Sequence, residues 1–124
     1  MATQRRILWT VTDPRGLVIT LTEDTWKHAV SGHGEIIDYL EQTQRTVEIP
    51  DEIYYDPKST ESRATGAKVY WYLKAGLLTG KLGEDYMTVV VKVVVEEGDA
   101  RGYVSTALPI DKPMKRLVLE WKRN

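Results

Sequence analysis

The sequence predicts an α+β fold: a short N-terminal hairpin and helices packed on an antiparallel β-sheet of about four strands. Three observations predict it. Ile7 to Val11 and Leu17 to Leu21 alternate apolar and polar residues on either side of Asp13-Pro14-Arg15-Gly16, a turn signal, and so read as a hairpin. Trp26, Ala29 and Val30, then Ile36, Ile37, Leu40 and Thr43, repeat at helical spacing. From Ile53 onward the chain returns to period-two runs divided by glycine and proline. Helices segregated from hairpin-linked strands mean α+β with an antiparallel sheet.

Each element follows from local chemistry. Thr22-Glu23-Asp24 supplies a cap and two acids where a helix dipole favours them. Gly32-His33-Gly34 breaks that helix, and a second is expected from about Glu35 to Arg45, ended by Pro50. Ile53-Tyr54-Tyr55 is a short strand. Lys58 to Gly66 and Ala75 to Asp85 read as loops, with Val69 to Leu73 a strand between them. Tyr86 to Glu96 is β-branched on both faces, the mark of a central strand. Tyr103 to Leu108 is its expected hairpin partner, stopped by Pro109, and Arg116 to Trp121 is the last strand.

The 124 residues fit a single domain, 1–124, large enough to fold without disulfide or metal. The chain has no cysteine, which excludes a disulfide scaffold and a thiol nucleophile and fits a cytoplasmic, reducing compartment. No segment reads as a signal peptide or a bilayer-spanning stretch, so no membrane partner is expected. Lys+Arg number 17 against Asp+Glu 18, a net charge of -1, which is not the balance of a general nucleic-acid binder.

Several residues carry chemistry on two readings. His28 is either a general acid/base or a half-exposed helix residue beside Trp26. His33 is a bend residue between glycines or contributes to a helix C-cap. The two histidines are five residues apart across a glycine break, a poor zinc set, so no metal or other cofactor is expected. Gly32-His33-Gly34-Glu35-Ile36-Ile37 lacks the third glycine of a dinucleotide fingerprint. Lys92, set among valines, must reach water or an anion, in a groove or on a solvated sheet face. Tyr70, Tyr72 and Lys74 share a strand face, either a surface that stacks bases and holds phosphates or an ordinary exposed one. Ser105 and Thr106 are phosphate-binding hydroxyls or simply strand formers.

Leu21-Thr22-Glu23-Asp24-Thr25-Trp26-Lys27-His28, the following helix, and Ile49-Pro50-Asp51-Glu52-Ile53 come in a distinctive order. A tyrosine-paired strand, Tyr86-Met87-Thr88-Val89-Val90-Val91-Lys92 and Gly102-Tyr103-Val104-Ser105-Thr106-Ala107 complete it. This order, over about residues 17 to 108, resembles the phage-type members of the barnase–EndoU–colicin E5/D–RelE nuclease superfamily. Where such families often show His-Pro-Glu, this chain has His33-Gly34-Glu35. The resemblance implies a toxin-like, metal-independent endoribonuclease with RNA as substrate and an immunity or antitoxin protein as partner. It implies His28 as acid/base and Lys92, with Lys74 or Lys68, on the phosphate. Thr106 or Ser105 would hydrogen-bond that phosphate, and Tyr70 and Tyr72 would stack a base. The competing readings are an inactive relative that binds protein or nucleic acid, and a small structural protein that forms a homodimer through a strand edge.

Overall fold

The computed structural model describes residues 6–59, 66–78 and 86–123. Parts of both expected loops, 60–65 and 79–85, lie outside the described residues. The α+β class holds, but the sheet is larger than expected. Among the described residues it has seven strands in the order β1-β2-β6-β5-β4-β3-β7. These are β1 Ile7–Thr12, β2 Val18–Thr22, β3 Glu52–Tyr55, β4 Lys68–Ala75, β5 Tyr86–Glu96, β6 Asp99–Ile110 and β7 Val118–Lys122. The hairpin β1–β2 is not a separate ornament. It joins the sheet through a parallel pairing of Val18, Ile19 and Thr20 with Arg101, Gly102 and Tyr103, so the sheet is mixed. Sequence periodicity finds strands; it carries no information on which distant strand lies beside which.

Helix α1 (Glu23–Gly32) follows β2 directly, and the Thr22 hydroxyl accepts from the Thr25 amide at its N-terminus. The expected second helix divides into a 3₁₀ turn, Gly34–Ile36, and α2 (Leu40–Glu48). Ile36 and Val47 are buried, but Ile37 is 59% exposed: the turn changes phase between Ile36 and Leu40 and swings Ile37 outward. The α2 helix stops before Pro50, whose ring disfavours helical geometry at Ile49.

The helices cover one face of the sheet. Ala29, Ile36 and Val47 pack there with Ile19, Leu21, Tyr72, Met87, Val89, Val91, Val104 and Ala107. The other face has a smaller cluster of Val69, Trp71, Leu73, Val90 and Leu117. The sheet is therefore apolar on both sides of β5, as its valines foretold, and β5 has a neighbour on each edge. Among the described residues the edges of the sheet belong to β1 and β7. Pro109 does not stop β6, which continues to Ile110. It falls where β6 pairs only with β5, a place a residue without N–H can occupy. Gly102 is needed for packing: a Cβ there would sit 2.7 Å from Ile19 Cγ1 and 3.0 Å from Val91 Cγ1, where β2 crosses onto β6.

One polar network ties the hairpin turn to the core. Asp13 is buried, and its Oδ1 accepts from the amides of Arg15 and Leu17 at 2.8 and 2.9 Å. The Tyr72 hydroxyl, 59 residues away, donates to Oδ2 at 2.5 Å. Burial, then the Asp13 carboxylate, push the Tyr72 hydroxyl pKa well above the ordinary tyrosine range. A raised pKa means the folded state holds this proton where the unfolded chain releases it. Its contribution is complete below about pH 10 and is lost as pH rises beyond that. Urea midpoints should fall more steeply between about pH 9 and 11 in the wild type than in Tyr72→Phe.

Candidate functional site

The β4–β5 register pairs Val69 with Lys92 and Tyr70 with Val91. Residues paired directly across a ladder point to the same face. Lys92 therefore stands on the face of Val69 and Trp71, while Lys68, Tyr70, Tyr72 and Lys74 stand on the helix-covered face. This separates the expected site into two halves on opposite sides of the sheet.

In the β4 half, Tyr72 and Lys74 are committed to structure. Tyr72 is fully buried with its hydroxyl on Asp13, and presents no ring face to a base. Lys74 is also buried, its Nζ donating to the Ile49 carbonyl at 2.8 Å and lying 3.7 Å from Asp51 Oδ1. Tyr70 has the Arg15 guanidinium 4.8 Å from its ring centroid and the Tyr55 ring tilted against it at 5.5 Å. Lys68 is exposed, on the wrong face to meet Lys92. The register places these four residues on the opposite face from Lys92, where Tyr70 lines a separate cleft with Arg15 and Arg101.

The other half comes together through a β-bulge. Val90 pairs with Thr106 and Val91 with Val104, which leaves Ser105 as an extra residue in β6. A bulge re-aims side chains that strict alternation would divide between faces. Here Ser105 and Thr106 line one cleft of about 490 Å³, together with His33, Lys58, Trp71 and Arg116. Ser105 also lines an adjoining cleft of about 670 Å³ with Lys92, Tyr103 and three threonines, Thr20, Thr22 and Thr25. Lys92, Ser105 and Thr106 thus share one continuous polar surface, in two clefts that meet at Ser105.

The histidine of this surface is His33, not His28. In α1, Trp26, Ala29 and Val30 turn toward the core. His28, about 100° around the helix from Ala29, is exposed and lines neither cleft. His33 ends α1, its amide bonded to the Ala29 carbonyl, and a non-helical backbone carries its ring into the cleft. Its Nδ1 is 3.6 Å from Glu35 Oε1.

The far wall was not foreseen. Asp56 is buried and accepts from Trp71 Nε1 at 3.2 Å, from the Lys58 amide at 3.1 Å, and from Arg116 Nε and Nη2 at 3.2 and 3.1 Å. Burial alone would raise the Asp56 pKa, but the Arg116 bonds and the Lys58 amide outweigh it and hold the carboxyl below its usual range. In the adjoining cleft the Tyr103 hydroxyl bonds Glu96, which raises the tyrosine pKa and keeps it protonated. Among the described residues no three His, Cys, Asp or Glu side chains gather as a metal site, and no helix is long and apolar enough to cross a membrane. No family model matches the chain, and neither a curated protein nor a solved structure is found similar to it.

Proposed function

We propose that the paired clefts bind single-stranded RNA and cleave it with the chain's own side chains. The observation that carries this reading is the β6 bulge, about which Ser105 and Thr106 line one cleft with His33 while Ser105 also lines the cleft of Lys92. RNA carries its own nucleophile, so an imidazole base, hydroxyl donors and a cation are a sufficient set. His33 takes the 2′-hydroxyl proton; the 2′ oxygen bonds phosphorus as the bond from phosphorus to the 5′ oxygen breaks. The leaving oxygen takes a proton from solvent, giving a 2′,3′-cyclic phosphate and a 5′-hydroxyl. Thr106 and Ser105 donate to the phosphoryl oxygens, and Lys92 holds the neighbouring phosphate.

Kinetics on a short oligoribonucleotide test the division of faces. Lys92→Ala should raise KM about tenfold, the loss of one phosphate contact, while Lys68→Ala leaves kcat and KM unchanged. Equal effects of the two would show that the cleft face is not the one that binds RNA. A second reading, RNA binding without cleavage, is favoured by the single histidine of the cleft, which leaves the leaving-group proton to solvent.

A further inference from the structure

We propose that Arg116 is the phosphate grip of the His33 cleft and that Asp56 is the residue that positions it; this deepens the RNA-cleaving reading and takes its substrate class from that reading. The side chain of Asp56 is 3% exposed and that of Arg116 40%, so the pair runs from the interior to the cleft wall. Arg116 presents Nε and Nη2 to the carboxylate, and its Cζ lies 5.7 Å from the Trp71 ring centroid. Among the described residues its Nη1 donates to the Met114 sulfur, at 3.1 Å, a weak acceptor. The outer N–H groups of Nη1 and Nη2 have no oxygen partner among the described residues. Such an end-on pair takes an oxyanion bidentately.

The surroundings favour a phosphate over a structural strap alone. Among the described residues that line this cleft, Lys58 and Arg116 are two basic side chains against the one carboxylate of Asp56, in a chain whose net charge is -1. The Ser105 and Thr106 hydroxyls line the same cleft as donors. A strap would need only a charge above Asp56. A planar fork already held by the Asp56 carboxylate and lying over an indole costs little further ordering when the ligand arrives. The ligand is the phosphodiester backbone of a single strand, in which Arg116 holds the group next to the one at Thr106.

The test is binding of a 2′-O-methyl oligoribonucleotide, which lacks the nucleophile, measured by fluorescence anisotropy across a salt series. Arg116→Gln should weaken affinity about tenfold and reduce the slope of log K against log salt by about 0.7, one phosphate contact on a single strand. Arg116→Lys and Asp56→Asn keep the cation but lose its fork or its orientation. Both should lose affinity with the slope unchanged. All three are compared at a temperature where urea curves show each fully folded, so a strap alone would leave affinity and slope at wild-type values. That outcome, or no binding by the wild type, overturns the proposal. Binding that depends on Arg116 in a protein that cleaves no RNA would keep the grip and remove the nuclease. Cleavage that depends on His33 but not on Arg116 would do the reverse.

Discussion

Asp13→Ala is expected to destabilise the protein by about 3 kcal/mol or more, the largest stability loss of any polar substitution considered. The substitution removes the acceptor of two turn amides and of the Tyr72 hydroxyl at once. An unsatisfied buried donor costs about 1–3 kcal/mol, and Tyr72 is fully buried. Arg15 loses the carboxylate 3.6 Å from its Nε and keeps only weaker contacts with the Tyr72 hydroxyl and the Tyr70 ring. The midpoint of urea unfolding should fall by about 1.5 M, from the usual size of the urea slope. Asp13→Asn keeps an oxygen for the turn amides and should lose less. Equal losses in the two variants would place the energy in the charge and not in the hydrogen bonds.

His33→Ala is expected to lower kcat for RNA cleavage about 10²–10⁴-fold, the usual worth of a positioned general base, with KM little changed. The imidazole acts only as the 2′-oxygen attacks, so its loss falls on kcat. Lys92 holds substrate in ground and transition state alike, so its loss falls on KM. His28→Ala should leave both constants at wild-type values, since that ring lies outside the clefts. A strong loss in His28→Ala with little in His33→Ala would restore the residue the family resemblance implies.

Much of the fold is legible from the chain. The boundaries of β5, the Thr22 cap and the turn at Asp13-Pro14-Arg15-Gly16 all follow from local preference, and the structure has them there. The joining of the hairpin to the sheet does not, because β2 meets β6 across some 80 residues and only tertiary packing decides that. Tyr72 reads as exposed because its one polar partner lies in a turn 59 residues away. The tyrosine–lysine face of β4 and Lys92 of β5 are both visible in the sequence, but their relative side depends on a register it does not state.

The bulge had a visible trace. Inward residues of β6 run Gly102, Val104 and then Ala107, a step of three where strict alternation gives two. That slip is a bulge signature, and it points to Ser105-Thr106. Asp56 and Arg116 carry no such trace. One reads as a turn residue and the other as part of a basic terminus, and only the fold brings them within 3.1 Å.

Cleavage of RNA by purified protein in EDTA, beside the His33→Ala Lys92→Ala double variant, tests the central claim most directly. The wild type should cleave RNA to products ending in 2′,3′-cyclic phosphate, and a double variant that remains folded should not. Undiminished cleavage by the double variant, or cleavage by the wild type that EDTA abolishes, would contradict it.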